Sequence, residues 1–531
     1  MSKSNGVVYT KGWVVELILN LIGYTSDKPL WKQTIVEPSC GAGSFLMEIV
    51  KRLLCSVSSL KDIPVISLRN CIVSYDIDPD SVQKCRNQIV DLLTSYEIDQ
   101  SEAKLLSECW VRCCDYLCTM DYGCDYVVGN PPYIRAAEIP SDDRKKYSKR
   151  LSSMTQGCDL YVGFIQRGLD SLNPNGKLCF ICSDRWLQNQ YGKKLRGYIS
   201  SYWHYDLIIR MHGVNAFESF VSAYPAIIKI SHDKGPVKYI NCEAAFSANN
   251  SSRLQQWVQS SGEETTIPNA TAMLMNHPMG DGVISLSAPE KVEAVFRMME
   301  QLPSLEESGV RVGIGIATGK DDVFIVDNPD LVEPDRLLPV FNMRDWRKTG
   351  EPSQKWLVNP WDENGKLVNL ANYPRLRDYL ELHREEIASR HIAKKNAQTW
   401  YRTIDKVNHE IIGRPMLLFP DMAKKADPVF SDGSRYPCHN CYWLMSDKWD
   451  MKVLGGLLMS DIAESFVDSM GVKMRGGTKR FQAQYLRLIH VPKPEMINAE
   501  TALDLRTAFD ARDRLMANKA ALKAYGLEGK R

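Results

Sequence analysis

The chain has no apolar run approaching the roughly 18 residues that a membrane-spanning helix needs, so a helical membrane protein is excluded. Its first residues, MSKSNGVVYTKGW, interrupt their apolar stretch with charge at once. No secretory signal is expected there, and a cytoplasmic location follows. Neither sign of charge dominates: 66 Lys and Arg against 64 Asp and Glu leave +2. Any nucleic-acid contact must therefore come from local patches rather than from a basic coat. No second C-x2-C or H-x3-H pair stands at zinc-site spacing from the dense group Cys109, Cys113, Cys114, Cys118 and Cys124, or from the single C-x2-C at Cys438 and Cys441. The fifteen cysteines read as free thiols of a reducing compartment, and no metal is expected. Internal repeats and low-complexity tracts are absent as well.

What the sequence does contain is an ordinary globular composition, 44% hydrophobic and 24% charged, over 531 residues. That length is too great for one core, so two large domains are expected. The N-terminal half alternates two periods. Strands are expected at 33–37, 71–78, 124–128, 177–183, 207–210 and 226–230, with helices at 44–54, 81–93 and 160–172. Such alternation implies an α/β sheet with helices on both faces. Around 246–285 the pattern dissolves into Asn, Ser, Gly and Pro, and a helix is expected at 290–300. From about 310 to 494 short strands rich in Pro, Asn, Asp and Trp replace the alternation, and 499–525 has a helical composition. The expected division is a domain over 1–245, a connecting segment over 246–305, a second domain over 306–495 and a helical segment over 496–531.

The most informative stretch is Asn130-Pro131-Pro132-Tyr133, reached through the apolar run Asp125-Tyr126-Val127-Val128 and Gly129. Proline fixes φ, lacks an N–H and pushes the preceding residue towards extended geometry, so a strand stops here in a stiff turn. The turn presents an Asn amide, a proline carbonyl and an aromatic ring, which together suit a planar amino group such as that of adenine or a carboxamide. Upstream, Glu37-Pro38-Ser39-Cys40-Gly41-Ala42-Gly43 lies between a strand and a helix. Glycines there let backbone approach a ligand at a helix N-terminus. The loop is not the dinucleotide fingerprint, because Met47 stands beyond Phe45-Leu46. The next strand ends at Tyr75-Asp76-Ile77-Asp78-Pro79, and a carboxylate there commonly holds a ribose diol. Asp76 is preferred, since Asp78 before a proline reads as a helix cap. Asp115 falls near a further strand end, where it could accept from an adenine amino group.

In this order the motifs resemble the class I S-adenosylmethionine-dependent methyltransferases, and among them the N6-adenine DNA methyltransferases of the gamma arrangement, most closely the TaqI-like methylases with a C-terminal specificity domain. The resemblance implies a Rossmann-like mixed sheet carrying the cofactor and an α+β target-recognition domain after it. It matches Thr10 to the family's N-terminal cofactor motif, although Lys11 stands where the family has proline. Glu37 matches the acid at the methionine part, with Pro38, Ser39, Gly41 and Gly43 in the cofactor loop. Asp76 matches the ribose acid, Asp115 the adenine contact, and Phe164 the aromatic that packs on the cofactor adenine. Asn130, Pro131, Pro132 and Tyr133 match the catalytic motif, and Phe217, with Phe220 as its rival, the second aromatic against an extruded base. The long spacing from Gly43 to Asp76 implies an insertion around 56–64. Later segments, from Gly313 to Gly319, Trp400-Tyr401 and Gln484-Tyr485-Leu486, are similar to the specificity domain. The size and layout are similar to stand-alone methylases of type II systems, the XhoI group among them.

The implied cofactor is S-adenosyl-L-methionine without a metal. The implied partners are double-stranded DNA and, functionally, a cognate restriction endonuclease, with a monomer and no membrane association expected. Two patches are candidates for the DNA: Arg135, Lys145 and Lys146 within 134–150, and Lys473, Arg475, Lys479 and Arg480 within 471–480. Rival readings are a protein glutamine methyltransferase, which shares the Asn-Pro-Pro-Tyr turn, an RNA methyltransferase and a non-catalytic DNA-binding protein. Gly319-Lys320 is not a P-loop, because Ile314 replaces the required glycine and Asp321 the Ser/Thr. Pro79-Asp80 with Glu102-Ala103-Lys104 imitates a nuclease signature but lies inside the sheet region, where an independent nuclease has no room.

Overall fold

Short apolar strands alternating with amphipathic helices build a nine-stranded sheet in the first half of the chain. The structure, a computed structural model, describes residues 8–57, 63–120, 123–219, 224–260, 266–276, 280–284, 289–394, 397–470 and 478–528. Its contacts divide the chain into two compact units, Met1–Pro289 and Glu290–Arg531. In the first unit the strands are β1 (Ile35–Glu37), β2 (Ile72–Asp76), β3 (Val111–Cys113), β4 (Cys124–Gly129), β5 (Leu172–Ser183), β6 (His204–Arg210), β7 (Pro225–Ser231), β8 (Val237–Cys242) and β9 (Ala270–Met275). Their order across the sheet is β3-β2-β1-β4-β5-β7-β6-β8-β9. The pairings are parallel except those made by β7 and β9. The order reverses between β1 and β4, so their carboxyl ends flank the crevice where open α/β sheets bind ligands.

Eight helices of this unit are α1 (Gly12–Ile22), α2 (Ser44–Val57), α3 (Pro79–Ser95), α4 (Gln100–Trp110), α5 (Ser141–Arg150), α6 (Tyr161–Asp170), α7 (Lys193–Tyr202) and α8 (Ser251–Gln259). Strand residues alternate between two cores, one on each face. Tyr126 and Val128 of β4 join the core under α1, α2 and α3, whereas Val127 joins the core under α6 and α7. The same parity divides Cys179 and Ile181 of β5 from Leu178, Phe180 and Cys182. Helix α3 begins where the sequence places it: Asp78 accepts from Ser81 N at 3.1 Å, and Pro79 occupies the first turn. Helix α2 runs to Val57, inside the expected insertion.

The expected connecting segment over 246–305 is divided by the structure. β9 adds the last strand to the first unit's sheet and α8 packs on its core through Leu254 and Trp257, whereas the helix Pro289–Gln301 carries Val295 into a core of the second unit. The reason is burial. Each segment carries an apolar face that a linker would leave in water. The expected helical segment over 496–531 is likewise no appendage. Ala499–Asp510 and Arg514–Ala524 pack on the helix Met451–Leu458, so closely that a Cβ on Gly455 would lie 2.5 Å from the Phe509 ring. The rest of the second unit holds two four-stranded sheets, one of them entirely antiparallel. No helix among the described residues is long and apolar enough to cross a membrane.

Candidate active site

The site forms at the carboxyl edge of the sheet. After β1 the chain turns through Pro38–Gly43, where Gly41 and Gly43 take φ of 52° and 88°. A Cβ on Gly43 would meet Gln88 Oε1 at 3.2 Å and Cys85 Sγ at 3.3 Å, so the turn lies close against α3. Asp76, at the tip of β2, accepts from Gly41 N at 2.8 Å and from Asp78 N at 3.0 Å. The two acids therefore divide the work, Asp78 capping α3 and Asp76 facing the glycine turn. Asp115 follows β3 and accepts from Leu117 N at 3.0 Å and from the Tyr147 hydroxyl at 3.1 Å.

Asn130 leaves β4 beside the same turn. Its Nδ2 donates to Val8 O at 2.9 Å and to Thr10 Oγ1 at 3.2 Å, and its carbonyl accepts from Ser39 Oγ at 3.1 Å. Two acceptors on one side fix which way the amide points. Asn130 Oδ1 is left buried without a hydrogen-bond partner among the described residues. Beyond the turn, Leu160 N donates to Ile134 O at 3.0 Å and Ala136 N to Asp159 Oδ1 at 3.0 Å, which pins the loop to the start of α6.

One cavity of roughly 460 Å³ gathers Thr10, Glu37, Pro38, Ser39, Gly41, Asp76, Asp115, Asn130, Pro132 and Phe164. Gly43, Pro131, Tyr133 and Phe217 stand outside its lining. Phe164 is buried and packs on Tyr116, which in turn packs on Tyr75. Among the lining residues there are four carboxylates, Glu37, Asp76, Asp78 and Asp115, and no Lys or Arg. Such a site favours a cationic ligand over a phosphate. Glu37 is buried, and its Oε2 has no partner among the described residues. Burial, with Cys40 and Asp76 nearby, pushes its carboxyl well above the usual range. Several apolar walls of the cavity were not read from the sequence, Ile77 and Leu160 among them. Ile77 lines the cavity at 71% exposure, and Leu160 lines it from the start of α6. For Ile77 the signal was available: it stands directly between the two acids that the reading weighed.

Tyr133 and Phe217 meet outside the lining of this cavity. Their ring centroids are 6.2 Å apart and their planes 82° apart, an edge-to-face contact and not a parallel slot. Phe217 is held by pairing with the N-terminal segment, where Lys11 N donates to Ala216 O and Glu218 N to Tyr9 O, both at 3.0 Å. The Tyr133 hydroxyl is buried, has no partner among the described residues and is raised well above its ordinary value by burial, with Cys182 and Asp184 adding to it. Phe220 lies outside the described residues.

Residues 70–217, which span β2 to Phe217, match the Eco57I restriction-modification methylase family. Over 99% of its length the chain is 37% identical to the type II methyltransferase M.XhoI of Xanthomonas vasicola, covering 98% of that protein. The chain belongs to the type II methyltransferases of restriction–modification systems. M.PaeR7I of Pseudomonas aeruginosa is 36% identical over 99% of this chain and 92% of its own. Among solved structures, the type IIL restriction-modification enzyme MmeI in complex with DNA shares the fold, with a TM-score of 0.61 at 13% identity over 98% of this chain and 74% of that one.

The basic residues that the sequence offered to DNA are placed differently in this methyltransferase. Arg135 and Lys145 are exposed, but Lys146 lies 3.6 Å from Asp115 and serves as its counter-ion. The stretch 141–150 is α5 and not a solvated loop, because Tyr147 buries its ring and reaches Asp115. In the second unit Lys479 is paired with Glu464 and, at 3.0 Å, with Asp468, and it is only 13% exposed. It is a structural ion pair and not a free DNA contact. Arg480 sits beside it in a two-residue strand paired with Met422–Ala423, half-buried. Lys473 and Arg475 lie outside the described residues.

A cluster that the sequence reading missed stands elsewhere in that unit. Arg402 and Lys406 both lie 5.5 Å from the Trp361 ring. Arg384 covers Trp400 at 4.7 Å. Among the described residues no carboxylate lies within ion-pair distance of Arg402 or Lys406. Arg390 is close enough to Arg402 that, after burial, this like charge lowers its pKa. Arg384 is paired with Glu381 at 2.8 Å, but Arg402 and Lys406, gathered over Trp361 without a counter-charge, suit a polyanion. Only the i, i+4 spacing of Arg402 and Lys406 was visible beforehand.

Proposed function

We propose that this methyltransferase moves a methyl group from S-adenosyl-L-methionine to the exocyclic N6 of an adenine flipped out of double-stranded DNA, as the protecting half of a restriction–modification system. The single observation that carries the reading is Asn130 Oδ1, an acceptor oriented by Val8 and Thr10, buried and unpartnered at the cavity. Leaving such a group unpaired costs about 1–3 kcal/mol, which a substrate N–H offsets.

The residues fit the cofactor. The cavity is lined by acids and apolar walls and lacks cations, which suits a sulfonium and an ammonium, and Asp76 can receive a ribose diol. Glu37 would face the methionine ammonium and Asp115 the adenine amino group, with Ile77 and Phe164 enclosing that ring. When bound, the cofactor supplies an electrophilic methyl on sulfur.

The adenine amino nitrogen is a poor nucleophile, because its lone pair is delocalised into the ring. Asn130 Oδ1 and the Pro131 carbonyl, to which no described residue donates, accept its two N–H bonds and return the lone pair to nitrogen. The nitrogen–carbon bond forms as the sulfur–carbon bond breaks, and the surplus proton on nitrogen leaves to solvent. No titratable base is needed, so catalysis comes from orientation and fixed dipoles. Extruding the base costs a few kcal/mol of unstacking. Tyr133 and Phe217 recover part of this, since stacking on an aromatic is worth roughly 1–3 kcal/mol per base. One of the two rings must turn from its edge-on position to do so. Arg402 and Lys406 hold the DNA backbone.

The test is label transfer from S-adenosylmethionine to duplex DNA, followed by identification of the modified base. N6-methyladenine is expected from the natural protein, and none from Asn130→Ala despite retained DNA binding. Near-normal turnover in that variant refutes the reading, and label in protein or RNA instead of DNA replaces it.

A further inference from the structure

Three polar side chains on the same carboxyl edge, two buried and one half-buried, have no part in the chemistry above. Asp184 follows β5, Arg210 ends β6, and His212 stands two residues further on. Asp184 Oδ2 lies 2.7 Å from His212 Nε2 and accepts from Arg210 Nε at 3.3 Å. Arg210 Nη2 lies 3.0 Å from His212 Nδ1. A guanidinium can only donate, so Nδ1 accepts, and the ring proton sits on Nε2 and is donated to Asp184. The three side chains form a closed ring of hydrogen bonds, with Asp184, Arg210 and His212 only 6%, 10% and 20% exposed.

The ring joins three strands. Asp184 N donates to Tyr224 O at 2.9 Å just before β7, and the Tyr224 ring meets His212 edge-on at 4.9 Å. Apolar residues could fill this volume with no loss of stability, as buried ion pairs seldom add to it. What the ring does provide is a fixed direction for the chain leaving β6. That chain is the loop 211–219, which reaches Phe217. Its far end is tied to Tyr9 and Lys11, and its near end is tied by His212. Met211 N also donates to Pro225 O at 2.9 Å, and Met211, Val214 and Ala216 are buried in the core, so the His212 contacts are the polar side-chain tie of the loop's near end.

We propose that the Asp184–Arg210–His212 network is a positioning site that holds the loop 211–219, and with it Phe217, at the angle to Tyr133 that admits the target base. The proposal rests on the reading of Phe217 as a wall of the base pocket. His212→Phe keeps the ring against Tyr224 and removes both hydrogen bonds, whereas His212→Gln can still donate to Asp184.

Two measurements on the full chain separate the outcomes. The first needs no substrate. Hydrogen exchange at the amides of Lys11, Ala216 and Glu218 is expected to quicken about tenfold in His212→Phe and to return towards the natural rate in His212→Gln. Unchanged exchange overturns the proposal. The second uses DNA with 2-aminopurine at the target position. His212→Phe is expected to lower kcat at least about tenfold and to weaken the fluorescence rise, with KM for DNA within about twofold and rescue by His212→Gln. If His212→Phe turns over normally while the natural protein methylates adenine, the inference falls and the functional reading stands. If the natural protein methylates no adenine, the functional reading falls and the exchange result alone decides the positioning role.

Discussion

Replacing Asn130 with aspartate keeps the shape of the side chain and one acceptor while inverting its other half. In the natural protein Nδ2 donates to Val8 O at 2.9 Å and to Thr10 Oγ1 at 3.2 Å. A carboxylate oxygen in that place faces the Val8 carbonyl, acceptor against acceptor, in a buried setting. Losing the hydrogen bond to Val8 costs about 1 kcal/mol, and leaving a buried acceptor unsatisfied about 1–3 kcal/mol more. The sum, about 2–4 kcal/mol, corresponds to about 30- to 900-fold if it falls on the productive orientation. Protonating the aspartate restores a donor towards Val8, so the folded protein holds this carboxyl above its ordinary value. The neutral form is then populated on the acid side, and activity should recover as pH falls. Methyl transfer to a duplex oligonucleotide, measured from pH 6 to 8.5, checks this. Relative to the natural protein, Asn130→Asp should improve steadily towards pH 6. Natural turnover at pH 8, or a loss with no dependence on pH, refutes the role of Val8 and Thr10 in orienting the amide.

Glu37 is pushed up by burial, so in the ligand-free protein its ionisation opposes stability and that cost grows as pH rises through its folded value. Binding of a cationic cofactor should therefore release protons and tighten with pH. Calorimetry in two buffers of different ionisation enthalpy measures this, and no proton release refutes it. Arg402→Glu and Lys406→Glu should each weaken DNA binding and reduce the slope of log K against log salt by about 1. A slope equal to that of the natural protein places the backbone contact elsewhere. Lys479→Ala should lower Tm by removing the partner of Glu464 and Asp468 while leaving DNA affinity within about twofold. Loss of binding without loss of stability would restore Lys479 to the DNA surface.

The strands and helices of the first unit were legible where period and punctuation agreed, as at β4 before two prolines and at α3 behind Asp78-Pro79. Helices α4, α5, α7 and α8 were missed: the α5 stretch carries so much charge that it reads as a solvated loop, although Tyr147 buries one side of it. β9 fell inside the stretch read as a link, and β8 was passed over just before it; β9, the edge strand, shows little alternation. The boundaries read at 305 and 495 followed changes of composition, whereas the second compact unit runs from Glu290 to Arg531. The packing of Gly455 and Phe509 across 54 residues (509 − 455) left no local trace.

The sequence by itself determined the chemistry on offer. Two prolines, a glycine turn and an acid before Ile77 act over a few residues each, through steric limits on φ and the ends of strands, so their meaning survives without a fold. Only the tertiary structure decided which atoms are free. It engages Asn130 Nδ2 with residues 120 and 122 positions away and leaves Oδ1 open, assigns Lys146 to Asp115 and Lys479 to two acids, and gathers Arg402 and Lys406 on Trp361. Hydrogen bonds and ion pairs saturate, so a group's availability depends on what the fold brings beside it. That is a long-range property that no spacing along the chain records.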